Sequence, residues 1–164
     1  IRTNYRGKDS KVGLKDPVLL YQNGGSSFIE RSDIPRNVEW VPLWKVFLAR
    51  ASGSGNDPQV LGKPIIGHPN SACTETYLVI GKFESEVEAR NLDAYLRTRF
   101  ARFLISLRKY TQDIYSERFS FVPKVEFSKR WTDEELYKEF ALDDSDITFI
   151  ESMVTAMEQS DGSN

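Results

Sequence analysis

The longest regular pattern of hydrophobic positions runs from residue 74 to residue 110. It opens with the β-branched and aromatic run TETYLVI, which is typical of a half-buried strand. Ser85 follows, three residues before Glu88, at the spacing of a helix capping box. Apolar residues then recur at three- and four-residue steps: Val87, Leu92, Tyr95, Leu96, Phe100, Phe103, Leu104 and Leu107. This spacing predicts one long central helix over about residues 85–110.

Segments rich in β-forming residues on both sides of this helix predict a small twisted sheet. The turn Asn23-Gly24-Gly25 separates two short strands, so this pair is expected to form a hairpin. The predicted strands are Val18–Tyr21, Ser27–Ile29, a buried strand at Lys45–Ala49, a short strand within Val60–Ile66, and Phe119–Val122. The first fifteen residues are polar, basic and punctuated by glycine, which is typical of an exposed arm or hairpin.

Two short helices are predicted in the C-terminal part of the chain. Thr132 and Glu135 form a second capping box, and Asp143 or Asp144 begins the last helix. Together the patterns predict an α+β fold in a single mixed domain, residues 1–158, with a disordered tail at 159–164. Because the chain begins at Ile1 rather than at methionine, we interpret it as a fragment of a larger protein.

Composition fits one soluble globular domain. The chain has 164 residues, of which 40% are hydrophobic, so it can bury a core without metal or disulfide staples. No apolar run reaches the roughly 20 residues that a membrane helix requires, and no membrane partner is expected. The single cysteine, Cys73, fits a reducing cytoplasm, which is the expected location.

Charge is divided unevenly along the chain. Residues 132–164 hold ten acids and one base, a net charge of −9, whereas the other 131 residues hold 21 bases and 14 acids, a net charge of +7. A basic body with an acidic end indicates nucleic-acid contact together with a separate interaction surface. The alternative is that the acidic helices are simply solvated, and charge alone leaves both interpretations open.

The common signatures of catalysis are absent from the sequence. There is no GxGxxG or GxxxxGK[ST] motif, and the SGSG run at 52–55 lacks the lysine and helix of a phosphate loop. His68 and Cys73 are single residues of their kinds, so the chain has no His/Cys set for a transition metal. A hydrolase that uses Cys73 and His68 is a further hypothesis, but the sequence shows no group that would orient these two side chains. We expect this chain not to be an enzyme.

Binding to DNA without chemistry agrees better with the residue types. The loop from Arg50 to Asn56 follows a predicted buried strand, and its glycines permit close approach of the backbone while its serines and Asn56 donate and accept hydrogen bonds. The cations on neighbouring loops and on the long helix could contact phosphates. The predicted DNA-contact residues are Arg31, Arg36, Lys45, Arg50, Ser52, Ser54, Asn56, Lys63, Arg97 and Arg102.

Longer stretches of the sequence resemble a known family. These stretches are RTNYRG, YQNGG, IERSDIPRN, WKVFLARASGSG, GKPIIGHPNSACTETYLVIGKFESEVEARNL, YLRTRFARFLISLRKYTQD, FVPKVEFSKRWTDEELYKEFAL and FIESMV. In this order they resemble the C-terminal target-recognition region of bacterial restriction-modification adenine-specific DNA methyltransferases and combined type II restriction enzymes. The resemblance covers the chain from about Arg2 to Met157.

The resemblance implies a module that selects a sequence in double-stranded DNA for the rest of the protein. The parent would be a DNA adenine-N6 methyltransferase, a type II restriction endonuclease, or both, and an upstream domain would bind S-adenosylmethionine and extrude the target adenine. This chain lacks the Asn/Asp-Pro-Pro-aromatic motif of that domain, so no cofactor is expected within it. The alternative function is a protein-interaction domain whose acidic helices dock onto a methyltransferase or nuclease subunit without touching DNA.

Overall fold

The computed structural model describes residues 1–51, 59–107 and 116–158, and within these ranges the predicted α+β class is confirmed. The described residues form the strands β1 (Pro17–Gln22), β2 (Gly25–Glu30), β3 (Trp44–Ala49), β4 (Ile65–Gly67), β5 (Ser71–Cys73) and β6 (Tyr77–Phe83). They also form the α-helices α1 (Glu86–Arg97), α2 (Arg99–Ser106), α3 (Asp133–Glu139) and α4 (Asp144–Met153). Short 3₁₀ helices occupy Arg31–Asp33, Val38–Trp40 and Ser116–Phe121.

The strands form two three-stranded sheets in place of the single sheet that was predicted. In the first sheet β1 lies between β2, which is antiparallel to it, and β5, which is parallel. The predicted hairpin is confirmed, because Gln22 lies opposite Gly25 and Gly24 occupies the turn at a φ of 85°, which glycine adopts without strain. In the second sheet β3 lies between β4 and β6 and is antiparallel to both.

Two details of the predicted strands need correction. The segment Phe119–Val122 is not a strand, because the 3₁₀ helix Ser116–Phe121 occupies most of it. Strand β5 was not predicted at all. Its three residues carry no alternating pattern, and they are extended because they pair with β1, more than 50 residues earlier in the chain.

The predicted long helix is divided at Thr98 into α1 and α2. Thr98 has an extended backbone, with φ −64° and ψ 149°, and its hydroxyl accepts a hydrogen bond from Ala101 N at 3.2 Å. The Asp133 carboxylate accepts hydrogen bonds from Arg99 N at 3.0 Å and from Phe100 N at 2.9 Å. The first amide groups of α2 therefore donate to the Thr98 hydroxyl and the Asp133 carboxylate, so α2 starts as a separate helix.

The apolar stripe continues across this break because both helices face the same core. The side chains of Leu92, Leu96 and Phe100 are buried against the second sheet and the C-terminal helices. Both C-terminal helices begin where the sequence predicted. Thr132 and Glu135 make both hydrogen bonds of a capping box, and Asp143 caps α4.

A strained turn lies where the described chain resumes after residue 58. Leu61 N donates to Gln59 O at 2.7 Å, and Val60 between them has a φ of 66°, which is unusual for a β-branched residue. Such a conformation costs about 1–3 kcal/mol and requires support from its surroundings. Here Val60 and Leu61 are buried against Leu48 and Ile105, which supply that support.

Candidate nucleic-acid interface

Seven of the ten predicted DNA-contact residues lie within the described ranges. The other three, Ser52, Ser54 and Asn56, lie outside the described residues, and so does the predicted tail at 159–164. The seven form three groups: buried cations, cations in surface ion pairs, and Arg50, which borders a polar cleft.

Arg102 is the most deeply buried cation of the set, with a relative exposure of 0%. Within the described residues its guanidinium donates to four backbone carbonyls: Arg97 O and Thr98 O at 3.2 Å each, Gln59 O at 3.1 Å and Thr155 O at 2.7 Å. Burial lowers its pKa to about 10 against its ordinary value of 12.5, and the nearby Asp133 carboxylate opposes this shift. Arg102 thus joins the helix break, the strained turn and the C-terminal segment.

Arg97 and Lys45 are also buried and fully engaged with the protein. Arg97 pairs with Asp93 at 2.9 Å through two nitrogens, and it also donates to Pro64 O and Glu158 O. The Lys45 ammonium, 2% exposed, donates to the carbonyls of residues 40, 41 and 43 at 3.0, 3.1 and 2.5 Å. Burial lowers its pKa to about 8, while the neighbouring Cys73 opposes the shift.

These three side chains are not accessible to a phosphate in this structure. We therefore withdraw Lys45, Arg97 and Arg102 from the candidate DNA contacts and assign them a structural role. The physical reason is that the sequence shows their charge but not the carbonyls and carboxylates that the fold places around it.

Three further predicted contacts lie on the surface in ion pairs. Arg31 pairs with Asp16 at 2.6 Å, Arg36 with Glu75 at 2.6 Å, and Lys63 with Glu158 at 3.1 Å. An exposed ion pair contributes little to stability, and a phosphate could displace the carboxylate. Their charge is nevertheless partly neutralised, which weakens the field that each presents to a polyanion.

The N-terminal arm, residues 2–15, carries cations that the sequence analysis did not select. Its five basic residues are exposed, and none of them forms an ion pair within the described part of the chain: Arg2, Arg6, Lys8, Lys11 and Lys15. Asp9 is the only acid among the first fifteen residues, so this segment has a net side-chain charge of +4. Other cations without an ion pair in the described ranges include Lys82 and Lys124, which line one groove, and Lys138 on α3.

The arm is docked on the first sheet by backbone contacts. Lys8 and Phe28 exchange two backbone hydrogen bonds of 2.8 Å, which extends the sheet beyond the edge of β2. At Gly7 the arm approaches so closely that a Cβ atom would lie 2.3 Å from Ser27 Oγ. The Glu30 carboxylate accepts from the amides of Lys15 and Asp16 at 2.8 and 2.7 Å. The lysine and arginine side chains remain exposed on a backbone that is held at several places, and the Lys11 ammonium lies over the Phe28 ring, 5.2 Å from its centroid.

A polar cleft lies between the arm and the end of β3. It has a volume of about 620 Å³, and its principal polar side chains are Thr3, Asn4, Arg6, Asn23, Arg50 and Thr76. Arg50 Nη1 lies 3.4 Å from Glu75 O, so this guanidinium rests against the cleft wall. The side chains of Thr3, Asn4 and Asn23 make no hydrogen bond within the described residues.

Two further features are absent from the described ranges. No group of three or more His, Cys, Asp or Glu side chains lies in an arrangement that could hold a metal ion there. Among the helices of the same ranges, none combines the length and the apolarity needed to cross a bilayer.

Comparison of the chain with protein-family models, curated proteins and solved structures finds no match.

Proposed function

We propose that this chain is a DNA-recognition module of a bacterial restriction-modification protein, and that it grips duplex DNA through the N-terminal arm. The observation that carries the proposal is the set of five exposed arm cations without carboxylate partners among the described residues. Phosphate contacts supply most of the affinity of a DNA-binding protein, and they require cations that are not already neutralised.

The docking of the arm supports the same function. A flexible basic tail loses conformational entropy when it binds, at a cost of about 1–2 kcal/mol for each ordered residue. The arm is already held by the Lys8–Phe28 backbone pair and by Glu30, so much of its backbone is ordered before DNA binds. Binding would order the long side chains and leave the backbone largely unchanged.

The biological setting comes from the sequence resemblance. In that setting the module works in the cytoplasm and presents a chosen site to an upstream domain, where S-adenosylmethionine and the catalytic residues of an adenine methyltransferase lie. A role of the parent as a type II endonuclease fits the same arrangement. Base reading would fall to the segment that contains Ser52, Ser54 and Asn56, which follows Arg50 directly in the chain.

Neutralising the arm tests the proposal. In the variant Lys8→Gln/Lys11→Gln/Lys15→Gln, we expect affinity for a fluorescent duplex of random sequence to fall by at least about tenfold at low salt. The slope of log K against log salt should become shallower by about 3, because three fewer counterions are released. Fluorescence anisotropy over a salt series measures both quantities.

A matched control removes three other surface cations that lie outside ion pairs in the described ranges, Lys82, Lys124 and Lys138, by the same substitution to glutamine. Equal losses in the two triple variants would contradict the assignment of the arm. Absence of any duplex binding at low salt would contradict DNA binding itself. That result would favour the protein-interaction alternative. The observation in its favour lies on the acidic helix α4, where Phe149 and Met153, one turn apart, are 56% and 53% exposed.

A further inference from the structure

We propose that the polar cleft between the N-terminal arm and the end of β3 is a phosphate-binding site. This inference deepens the proposed function, on which it rests for the source of the phosphate, namely the backbone of a bound duplex. Of the described residues that line this cleft, only Arg50 is among the predicted DNA-contact residues.

The charge of the cleft favours an anion. Arg6 and Arg50 line it from opposite elements, one on the arm and one at the end of β3. Among the described residues that line the cleft, Glu75 is the one acid, and its carboxylate is bound by Arg36 at 2.6 Å. Together the side chains of Arg6, Arg50, Arg36 and Glu75 carry a net charge of +2. Arg36, which was predicted to contact DNA directly, acts here by neutralising the carboxylate that would otherwise repel a phosphate.

The hydrogen-bonding groups of the cleft suit phosphate oxygens. Arg6 Nη1 donates to Tyr5 O at 3.3 Å, and the other donors of its five-donor guanidinium have no partner within the described residues. The hydroxyl of Thr3 and the amides of Asn4 and Asn23 have no partner within the described residues. Arginine, threonine and asparagine are among the side chains that commonly bind DNA phosphates.

The size and position of the cleft agree with a phosphodiester. Its volume of about 620 Å³ accommodates a phosphate together with parts of the adjoining sugars. It opens at the end of β3, next to Arg50 and Ala51, where the chain leads into the predicted base-reading segment. A phosphate held in the cleft would fix the position of the duplex on the module, with the arm cations contacting the backbone on one side.

Titration with inorganic phosphate, followed by ¹⁵N–¹H NMR, tests the site without DNA. We expect saturable shifts of the amide signals of Thr3, Arg6, Asn23 and Thr76. Because Arg6 is exposed, Arg6→Ala should keep the fold and raise the Kd for phosphate at least about tenfold, as loss of one charge-assisted contact predicts. Arg50→Gln is the second variant. The dispersion of its amide signals verifies that it is folded. Lys124→Ala, which removes a cation that does not line the cleft, should leave the Kd for phosphate unchanged.

A parallel titration with a short duplex separates the two proposals. Arg6→Ala should reduce the salt slope for duplex binding by about 1. If phosphate saturates the cleft but duplex does not bind, the site stands with a free phosphate ester as its ligand, and the proposed DNA function fails. If duplex binds but phosphate shifts spread over the whole arm, or Lys11→Ala weakens phosphate binding as much as Arg6→Ala, the cleft proposal is overturned and the DNA function stands.

Discussion

The N-terminal arm and the break between α1 and α2 are both rich in cations, and they use them in opposite ways. At the break, the guanidinium groups of Arg97 and Arg102 are buried among carbonyls and the Asp93 carboxylate. On the arm, the backbone is bound to the first sheet while the charged groups remain at the surface. The same residue type thus holds the fold together in one region and is available to a ligand in the other.

The difference teaches that the density of cations in a sequence does not show which of them are accessible. The helical region has the more conspicuous run of arginines, yet the fold brings acceptors to it from distant parts of the chain, such as Gln59 and Thr155 for Arg102. The arm is less conspicuous, and its backbone, not its charge, makes the contacts that hold it. Three measurements test this comparison.

The largest expected effect is that of Arg102→Ala on stability. The substitution removes a large side chain that is fully buried and takes the guanidinium donor away from the carbonyls of Arg97, Gln59 and Thr155, while Thr98 O keeps the backbone amide of residue 102. We therefore expect the free energy of unfolding to fall by roughly 3–5 kcal/mol. Urea unfolding followed by circular dichroism measures the loss. Arg90→Ala is the control, because Arg90 makes only a partly exposed pair with Glu86 on α1, and it should cost about 0.5 kcal/mol or less. Similar losses in both variants would contradict the role of Arg102.

A second, smaller effect should appear in the pH dependence of stability through Lys45. Its pKa is about 8 in the folded protein against an ordinary value of 10.5, because burial disfavours the ammonium. Between these pH values the unfolded chain binds a proton that the folded chain has released, so the contribution of Lys45 to stability rises with pH. The slope is at most about 1.4 kcal/mol per pH unit.

Urea unfolding of the wild type and of Lys45→Met from pH 7 to pH 10 measures this effect as a difference. The free energy of unfolding of the wild type should increase relative to that of the variant above pH 8. Cys73, whose pKa burial raises to about 12, is present in both proteins, and its contribution largely cancels. A difference that stays flat or falls with pH would show that Lys45 keeps its ordinary pKa in the fold.

The smallest expected effect is that of the arm variant Lys8→Gln/Lys11→Gln/Lys15→Gln on stability. Because the arm is held through its backbone and the side chains lie outside ion pairs, the free energy of unfolding should change by about 0.5 kcal/mol or less. Thermal unfolding and urea unfolding both measure this change. A loss of several kcal/mol would mean that the arm cations support the fold, and the contrast with Arg102 would disappear.

Features of the fold that depend on neighbouring residues could be predicted from the sequence. The capping box of Thr132 and Glu135 spans three residues, and the hairpin turn at Asn23-Gly24 requires only its own residues and the strands beside it. The division at Thr98 could not be predicted, because its cause includes Asp133, which is 35 residues further along the chain. Strand β5 is likewise defined by pairing with a distant strand rather than by its own composition.

The candidate site was less predictable than the fold for the same reason. The sequence correctly indicated an exposed basic arm, but it gave no sign that Gly7 and Gln22 would hold this arm against β2. It placed Arg50 beside the predicted loop, and the structure adds the cleft that Arg50 shares with Arg6. Assigning the remaining arginines required knowledge of their partners, which only the folded chain provides.

The hydrogen bonds of Arg97 and Arg102 also show that this structural unit extends beyond its last helix. Helix α4 stops at Met153, yet Arg102 binds the carbonyl of Thr155 and Arg97 binds that of Glu158. A domain trimmed at the last helical residue would therefore leave two interior guanidinium groups each short of an acceptor. Residues 154–158 have no regular secondary structure, but they complete the interior of the molecule as much as any helix does.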